Sequence, residues 1–282
     1  MLADIDVSTA LVAGLVREQH PDLDGALRPV AAGWDNAIFR LGADLAVRVP
    51  RRQVAAALIE HEQRWLPHLA PRLPLPIPVP VRNGRPTAGY PYPWSITVWI
   101  TGTVVTAVPV TQRIVFAEQL AGFLNALHRP APPDAPANPF RGVPLVTRSE
   151  AMAERFASGR VPRLLQKLWT DLTLVPPWPD RPRWVHGDLH AANLLAGPDG
   201  RLAAVLDFGD LTAGDPATDL AAAWLVFDAP ARARFRGALD VDEDTWQRGR
   251  GWALNMAAAI AADPTGAPEM HAMAAHALRE VA

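Results

Sequence analysis

Two polar segments, each flanked by apolar residues, lie close together at residues 184–195 and 203–210. The apolar residues are typical of short buried strands, and the Gly-Pro-Asp-Gly sequence between them predicts a hairpin turn. Such a hairpin would bring Asp188, Asn193 and Asp207 close together. Two carboxylates and an amide are costly to bury side by side unless a cation or hydrogen bonds satisfy them. The two segments therefore predict a polar site at one end of a small sheet.

The spacing of these polar residues matches a known chemical requirement. Phosphoryl transfer from a nucleotide depends on positioning and charge neutralisation more than on covalent chemistry. A carboxylate accepts the proton of the attacking hydroxyl, while an amide oxygen and a second carboxylate hold Mg²⁺, which prefers hard oxygen ligands. Asp188, then Asn193, then the triplet Asp207-Phe208-Gly209 have the order and spacing of the protein-kinase catalytic loop and metal-binding triplet. We therefore expect Asp188 to be the catalytic residue and Asn193 and Asp207 to be the metal ligands.

Further motifs around this site indicate which family of kinase-like enzymes the chain resembles. The segment His186-Gly187-Asp188 stands where kinases have His-Arg-Asp, and it is followed by His190 and by Gly-Asp-Pro-Ala-Thr-Asp-Leu at residues 214–220. In this order the motifs resemble those of the aminoglycoside phosphotransferase family, kinase-like enzymes that include macrolide phosphotransferases. The resemblance implies an α+β, protein-kinase-like two-lobe fold. A small β-rich nucleotide-binding lobe would span residues 1–101, and a larger, mainly helical catalytic and substrate-binding lobe would span residues 102–282.

The resemblance also suggests roles for the neighbouring polar residues. Asp219 would accept hydrogen bonds from backbone N–H groups of the catalytic loop; the alternative is that it only caps the following helix. We interpret His186 and His190 as structural residues around the loop rather than catalytic ones. Asp210 and Asp215 have two interpretations, as substrate contacts or as turn residues.

Length and composition set limits on the class of protein. A chain of 282 residues favours two domains or lobes, and a net charge of −2 gives no indication of a nucleic-acid partner. No apolar run approaches the length of a membrane span, and the first residues lack a signal-peptide pattern. The absence of cysteine excludes disulfides and thiolate metal sites. We expect a cytoplasmic protein with no membrane partner, and the sequence leaves its oligomeric state open.

The first lobe is predicted to begin with a helix over about residues 8–20, followed by strands at residues 27–31, 37–41 and 45–49. The first two strands are joined by Gly33-Trp34-Asp35-Asn36, which is turn chemistry. In the family that the chain resembles, this joint lies over the nucleotide phosphates, so Gly33 and Asn36 are candidate nucleotide contacts. The alternative is a plain hairpin turn.

Arg48 lies on the third predicted strand, where alternation separates it from Val47 and Val49. Kinases carry a lysine in this strand that holds the nucleotide phosphates. Arginine keeps the positive charge and offers a bidentate fork, so we expect Arg48 to take this role. The sequence contains one lysine, Lys167, which lies in a predicted helix of the other lobe. The alternative is a surface arginine on an edge strand.

A helix is predicted from Gln53 to about Leu66, ending before Pro67. Its apolar residues recur at helical spacing, and they are Val54, Leu58, Trp65 and Leu66. Glu62 falls on the same face, where a carboxylate requires a cationic partner. We therefore predict an ion pair between Glu62 and Arg48, like the Lys–Glu pair of kinases; an exposed Glu62 is the alternative.

The end of the first lobe is predicted to contain an extended proline-rich segment over residues 71–80, which suits only a sheet edge. Asn83-Gly84 is predicted to be a turn, and Trp94 to Ile100 a buried strand. By its position this strand resembles the hinge between kinase lobes. The resemblance makes the Trp99 carbonyl and the Ile100 N–H the candidate adenine contacts.

The second lobe is predicted to be mainly helical. A helix is expected over residues 111–128 and another over residues 150–169, broken near Pro162. Further helices are expected over residues 220–227, 231–239, 245–262 and 268–281. The acidic run at residues 240–244 is explained by a helix N-terminus, with attraction of a cationic substrate as the alternative.

Together these features predict Mg²⁺-dependent transfer of the γ-phosphoryl group of ATP or GTP to a hydroxyl of a small molecule. The resemblance suggests an aminoglycoside or macrolide antibiotic as acceptor, and hence antibiotic resistance; amino alcohols and sugars are alternative acceptors. A non-catalytic, nucleotide-binding pseudokinase is a further alternative, supported only by Arg48 in place of lysine. A metallophosphoesterase is disfavoured because Gly187-Asp188-Leu189-His190 has no accompanying Gly-Asn-His segment.

Overall fold

The computed structural model describes residues 4–23, 25–33 and 35–282. The chain divides into two compact units. The N-terminal unit consists of Met1–Arg72, Pro76–Thr101 and Asp207–Gly209, and the C-terminal unit of Leu73–Leu75, Gly102–Leu206 and Asp210–Ala282. The triplet at residues 207–209 thus belongs to the N-terminal unit, although its neighbours in sequence belong to the other. Within the described ranges, no helix has both the length and the apolar character needed to cross a bilayer.

The N-terminal unit is built on a five-stranded antiparallel sheet with strand order β1-β2-β3-β5-β4. Its elements in chain order are α1 (Thr9–Gln19), β1 (Leu27–Ala32), β2 (Asn36–Leu41), β3 (Leu45–Pro50), α2 (Gln53–Leu69), a 3₁₀ turn (Ala70–Arg72), β4 (Pro80–Gly84) and β5 (Trp94–Val98). The first helix begins where predicted, because the Ser8 hydroxyl accepts a hydrogen bond from the Leu11 N–H at 3.2 Å.

The core of this unit lies between α1 and one face of the sheet. Alternate residues of β2 and β3 are buried, as period-two strands require. The buried residues that pack together include Val12, Leu15, Val16, Phe39, Val47, Val49, Trp94 and Ile96. Because Val47 and Val49 face this core, Arg48 points to the opposite face of β3, as the alternation predicted.

Helix α2 differs from its prediction at its end and in its buried face. It continues through Pro67 to Leu69, since a proline in the last turn removes only one backbone hydrogen bond. Val54 is 60% exposed, so the predicted apolar face was wrong at its first residue, whereas Leu66 is buried as predicted. The buried residues are Ala55, Ile59, Glu62, Leu66 and Leu69. Glu62 is therefore buried, and the exposed alternative is excluded.

Two predictions near the end of this unit were wrong. Asn83 and Gly84 lie in the edge strand β4 rather than in a turn, and a Cβ at Gly84 would come within 1.9 Å of the Trp94 ring. The glycine thus makes room for a neighbouring side chain instead of reversing the chain. Strand β5 ends at Val98, two residues before the predicted end, so Trp99 and Ile100 lie beyond the sheet ladder.

The C-terminal unit is mainly helical. Its elements are β6 (Thr103–Val104), α3 (Ala117–Leu127), α4 (Ser149–Ala157), α5 (Leu165–Thr173), β7 (Arg183–Val185), β8 (Leu194–Ala196), β9 (Leu202–Val205), β10 (Thr212–Gly214), α6 (Ala217–Leu220), α7 (Ala222–Leu225), α8 (Ala229–Gly237), α9 (Glu243–Ala262) and α10 (Pro268–Glu280). The short strands form two antiparallel sheets, ordered β6-β8-β9 and β10-β7. The predicted hairpin between residues 194 and 205 is present as β8 and β9.

Most helices of this unit lie where the sequence predicted them. The predicted break near Pro162 separates α4 from α5. The helix predicted from residue 111 was partly wrong, because Val110–Phe116 is a 3₁₀ helix and α3 begins at Ala117. The predicted helix at 220–227 is replaced by the two short helices α6 and α7. A β-rich unit and a mainly helical unit agree with the predicted α+β class.

Candidate active site

The catalytic-loop segment begins at the end of the buried strand β7. Gly187 has φ +89°, and a Cβ built on it would lie 2.4 Å from the Asp210 carbonyl oxygen. Glycine is required here for two reasons. Other residues rarely adopt this φ, and their Cβ would clash with the Asp210 backbone. The tight turn at Gly187 therefore sets the direction in which Asp188 leaves the loop.

Asp219 anchors this loop through the backbone, as the resemblance implied. Its Oδ2 accepts a hydrogen bond from the His186 N–H at 2.8 Å, and its Oδ1 accepts one from the Gly187 N–H at 2.9 Å. The carboxylate is fully buried and also lies 3.0 Å from Nε2 of His128. Three hydrogen bonds thus satisfy a buried charge. The alternative of a helix cap alone is excluded.

His186 is completely buried and takes part in the loop structure. Its Nε2 lies 2.9 Å from the Leu206 carbonyl oxygen, and its Nδ1 accepts a hydrogen bond from the Asp188 N–H at 3.2 Å. The first contact requires a proton on Nε2, which leaves Nδ1 as the acceptor. These contacts agree with the structural interpretation of His186.

The Asp188 carboxylate, the candidate catalytic group, is held by two cationic or polar side chains of the C-terminal unit. It lies 3.3 Å from Nε2 of His190 and 3.4 Å from Nη2 of Arg141, and its side chain is 30% exposed. Burial by itself would raise the pKa of Asp188, but His190, Arg141 and His186 outweigh it and hold the pKa well below its usual range. The carboxylate is therefore ionised at neutral pH and open on one side.

Asn193 is held next to Asp188 by its own side chain. Its Nδ2 donates to the Asp188 carbonyl oxygen at 2.8 Å and lies 3.4 Å from the Asp188 carboxylate. The backbone is held as well, because the Asn193 carbonyl accepts a hydrogen bond from the Leu206 N–H at 2.8 Å. Since the amide nitrogen is used as a donor, the side-chain oxygen Oδ1 is the atom left to accept a ligand.

Sequence reasoning missed two residues that surround this site. Arg141 bridges two carboxylates, because its Nη2 lies 3.4 Å from Asp188 and 3.3 Å from Asp210. Asn138 donates from Nδ2 to Asp210 at 2.8 Å. Both come from the proline-rich segment at residues 129–144, which carries no motif that would have revealed them. Asp210 is thus tied to the loop rather than being a free turn residue.

Asp215 has a structural role that the sequence left undecided. Its Oδ2 accepts from Nε of Arg248 at 2.7 Å, and its Oδ1 accepts from the Ala217 N–H at 2.9 Å. The two side chains of this ion pair are 4% and 2% exposed. The pair therefore joins helix α9 to the start of α6 within the C-terminal unit.

In the N-terminal unit, Arg48 lies between two carboxylates. Its Nη1 lies 2.6 Å from Oε1 of Glu62, and its Nη2 lies 2.9 Å from Oδ1 of Asp207. The predicted ion pair between Arg48 and Glu62 is present. Asn36 also lies against the guanidinium, and its amide oxygen, oriented towards the donor, accepts from Nη2 at 3.1 Å. The interpretation of Arg48 as a surface residue is excluded.

The charges of this group are strongly coupled. Burial raises the pKa of Glu62 to about 7, with Arg48 opposing the rise and Asp207 adding to it. Burial opposes the charge of Arg48, but Glu62 and Asp207 outweigh it and raise the Arg48 pKa. Asp207 has φ +57°, unusual for a residue other than glycine, and its side chain is 53% exposed. The backbone thus presents this carboxylate outward while Arg48 holds one of its oxygens.

The candidate nucleotide loop is a closed hairpin turn. The Gly33 N–H donates to the Asn36 carbonyl at 2.9 Å, and the Gly33 carbonyl accepts from Nη1 of Arg51 at 2.9 Å. A phosphate contact through the Gly33 N–H would require that first bond to open. Trp34, at the centre of the predicted joint, lies outside the described residues.

The candidate hinge residues follow strand β5. The Trp99 N–H donates to the Asp44 carbonyl at 2.7 Å, and the Arg40 guanidinium lies 4.7 Å from the centre of the Trp99 ring. The N–H of Trp99 is therefore used within the unit. The proposed adenine contacts use other atoms, the Trp99 carbonyl and the Ile100 N–H, and they stay a prediction.

Comparison with known proteins identifies the family. The model of the phosphotransferase enzyme family, APH, matches residues 26–252, which is most of the chain. This chain belongs to the phosphotransferase enzyme family. The family and the enzyme class expected from the motifs are both confirmed. No curated protein sequence matches this phosphotransferase significantly.

Solved structures of aminoglycoside and macrolide phosphotransferases are similar to this phosphotransferase. The GDP complex of wild-type aminoglycoside 2'-phosphotransferase-IIIa is 19% identical over 98% of each chain, with a TM-score of 0.74. The GDP and kanamycin complex of APH(2")-IIia is 20% identical over 96% of this chain and 97% of that one, with a TM-score of 0.73. Macrolide 2'-phosphotransferase MphH from Brachybacterium faecium is 22% identical over 96% of this chain and 98% of that one, with a TM-score of 0.65. At these identities the similarity establishes the kinase-like fold.

Proposed function

We propose that this phosphotransferase transfers the γ-phosphoryl group of ATP or GTP to a hydroxyl of a small molecule, with Mg²⁺ as cofactor. The observation that carries the proposal is the ionised and partly open carboxylate of Asp188, at the end of a loop that Asp219 anchors. The family provides the reaction class. Complexes of similar structures with GDP or with streptomycin and ATP support a nucleotide as the phosphoryl donor.

Asp188 acts on the acceptor hydroxyl in this mechanism. Its carboxylate accepts a hydrogen bond from the hydroxyl and so directs a lone pair of the attacking oxygen towards the phosphorus. Because its pKa is held low, it is a weak base and takes the proton only as the new bond forms. Orientation is therefore its main contribution, and proton acceptance is secondary.

Arg48 acts on the nucleotide phosphates. Glu62 fixes the position of its guanidinium through the 2.6 Å ion pair, so little side-chain entropy is lost when phosphate binds. Glu62 and Asp207 each accept from one Nη group of Arg48, so phosphate oxygens would accept from the remaining N–H groups of the guanidinium. The candidate contacts Gly33, Asn36, Trp99 and Ile100 complete the proposed nucleotide site.

Each of the two proposed metal ligands presents a side-chain oxygen that suits Mg²⁺. Among the described residues, no three His, Cys, Asp or Glu side chains are grouped so that they would hold a metal by themselves. Mg²⁺ commonly binds one or two protein oxygens and completes its shell with phosphates and water. Oδ1 of Asn193 and the half-exposed Asp207 carboxylate are the proposed protein ligands. When bound, the ion neutralises negative charge on the phosphates.

The solved structures of similar proteins support two classes of antibiotic as the acceptor. Similar structures bind kanamycin, streptomycin or gentamicin, or are macrolide phosphotransferases. An aminoglycoside or macrolide acceptor would make this protein an antibiotic-resistance enzyme. A metabolite kinase for amino alcohols or sugars is the second candidate.

The proposed function is tested by nucleotide binding and turnover together. Thermal shift of the full chain with Mg²⁺ and ATP, GTP, ADP or GDP measures binding, because a ligand of the native state raises the melting temperature. We expect stabilisation by at least one nucleotide and transfer of its γ-phosphoryl group to a hydroxylated acceptor or, slowly, to water. Binding with neither transfer nor hydrolysis would instead support a pseudokinase.

A further inference from the structure

Three arginines form a cationic cluster, one of which contacts the proposed catalytic residue. The cluster consists of Arg141, Arg148 and Arg155, all within the C-terminal unit. Arg148 is the N-cap of α4, and Arg155 lies seven residues further along the helix, so both project from one side of it. Arg141 belongs to the preceding loop and lies 3.4 Å from Asp188.

The cluster has unused hydrogen-bonding capacity at its centre. The Nε groups of Arg141 and Arg148 are both buried and have no hydrogen-bond partner in the described part of the chain. The Arg148 guanidinium lies 5.1 Å from the centre of the Phe140 ring, and Phe140, the neighbour of Arg141, is 57% exposed. Buried N–H groups of arginine without acceptors are costly, so movement of these side chains towards the oxygen acceptors of a ligand would stabilise this region.

Carboxylates of the protein do not neutralise Arg148 and Arg155. Arg155 donates from Nη1 to the side-chain oxygen of Asn255 at 2.7 Å and to its carbonyl at 3.0 Å, both neutral acceptors. Among the described residues, neither Arg148 nor Arg155 has a carboxylate within ion-pair distance. Burial, then Arg148, then Arg141 lower the pKa of Arg155 to about 10, with Glu154 opposing them. The positive charges therefore repel one another across the cluster.

Two carboxylates of the acidic run at residues 240–244 are bound at the start of helix α9. Asp242 accepts a hydrogen bond from the Thr245 N–H at 2.6 Å and caps α9. Glu243 forms an ion pair with Arg236 and a hydrogen bond with Gln247. Asp242 and Glu243 are thus engaged at the helix terminus, in agreement with the first of the two sequence interpretations for these two residues.

We propose that the acceptor of this enzyme carries an oxyanion, either a carboxylate or a phosphate monoester, which binds Arg141 and Arg148 next to Asp188. The proposal rests on the proposed function and narrows it. An arginine fork forms bidentate, charge-assisted hydrogen bonds with both groups. A polycationic aminoglycoside would bring its ammonium groups against Arg148 and Arg155, whose charges no carboxylate neutralises, and we expect it to bind less well than an anionic acceptor.

Four hexoses that differ mainly in charge test the proposal. Glucuronate carries a carboxylate, glucose 6-phosphate a phosphate monoester, glucose no charge, and glucosamine an ammonium group. Binding of each to the full chain is measured by calorimetry in the presence of Mg²⁺ and of ADP or GDP, whichever the chain binds. We expect at least one anionic sugar to bind about tenfold or more tightly than glucose and glucosamine. The two anionic arms distinguish carboxylate from phosphate recognition. Failure of both anions to bind, or equal binding of glucosamine, would overturn the proposal.

Variants of Arg148 test whether the anion binds at the arginine cluster. Arg148→Gln should lower the affinity of the preferred anion about tenfold, because one charged fork is lost. Arg148→Lys, which keeps the charge without the fork, should give an intermediate affinity, and it serves as the test if the first variant does not fold. Arg163→Gln removes an exposed arginine of the same unit and is the control. Unchanged anion affinity in both Arg148 variants would overturn the assignment.

Turnover assays distinguish failure of the anionic-acceptor proposal from failure of the proposed phosphotransfer function. Wild-type enzyme is assayed for hydrolysis of ATP and GTP alone, and for phosphorylation of the hexoses and of kanamycin. A protein that binds and hydrolyses nucleotide but prefers kanamycin to the anionic sugars would keep the proposed function and lose this inference. A protein that neither binds nor hydrolyses nucleotide, yet binds the anionic sugars through Arg148, would lose the proposed function and keep the anion site.

Discussion

Arg48 and Glu62 form a nearly buried ion pair, with 2.6 Å between Nη1 and Oε1 and with side chains that are 14% and 4% exposed. The strand β3 and the helix α2 each present one partner, 14 residues apart in sequence. The second nitrogen of the same guanidinium reaches Asp207. One arginine therefore connects the helix, the strand and the triplet at residues 207–209.

The role of this ion pair is tested by a double-mutant cycle. Arg48→Ala should weaken nucleotide binding and lower turnover together, since a phosphate-holding charge is lost in both ground and transition states. Arg48→Lys should recover part of the loss, and Glu62→Gln should give a smaller defect in the same direction. The nucleotide dissociation constant and kcat are measured for the single and double variants. Strictly additive effects would mean that the pair does not act as a unit.

Asp188→Ala should leave nucleotide binding nearly intact and lower kcat by roughly 10²–10⁴-fold, because the acceptor hydroxyl loses the group that orients it and accepts its proton. Asp188 contacts Arg141 and His190 within its own unit, and it is not among the proposed nucleotide contacts. The expected loss of turnover therefore reflects its action on the acceptor hydroxyl. Asp180→Ala, which removes an exposed carboxylate of the same unit, should have wild-type kcat. Wild-type turnover in Asp188→Ala would remove this residue from the mechanism.

Asp207→Asn should raise the Mg²⁺ concentration needed for half-maximal activity, because a neutral amide replaces an anionic oxygen ligand. The measurement is a Mg²⁺ titration of turnover at saturating nucleotide. Nucleotide binding without Mg²⁺ is measured alongside it, since Asp207 also contacts Arg48. An unchanged titration with full activity would place the metal elsewhere.

Gly187→Ala should lower both stability and turnover, because a Cβ would lie 2.4 Å from the Asp210 carbonyl and must displace the loop that carries Asp188. Gly200→Ala is a matched control, since Gly200 also has a positive φ of +75° but nothing within 4 Å of its Cβ position. The control should cost about 1–2 kcal/mol for its backbone conformation and leave kcat unchanged. Equal effects of the two changes on kcat would contradict a positioning role for Gly187.

Asp215→Ala should destabilise the folded protein by about 3–5 kcal/mol, because it leaves the buried guanidinium of Arg248 without its charged partner. Lys167→Ala breaks an exposed ion pair with Asp171, whose side chains are 84% and 54% exposed, and should change stability little. Chemical denaturation of the three proteins gives the comparison. A small effect of Asp215→Ala would show that solvent or another group takes the place of the carboxylate.

Local patterns in the sequence determined the elements and the order of the site residues. Alternation along a strand placed Arg48 opposite Val47 and Val49, and helical spacing placed Glu62 on a buried face. The spacing between Asp188 and Asn193 is short enough for one loop to hold both residues. The sequence could predict these features because each depends on residues that are close to one another along the chain.

Tertiary structure decided which side chains satisfy the charges. Arg141 meets Asp188 across 47 positions, and Arg248 meets Asp215 across 33. Neither spacing follows a helix or strand period, so no local pattern reveals it. The same is true of Gly84, whose sequence suggests a turn but whose role depends on the Trp94 ring of the neighbouring strand. Contacts between distant segments depend on packing, and packing placed the Arg141 guanidinium beside Asp188.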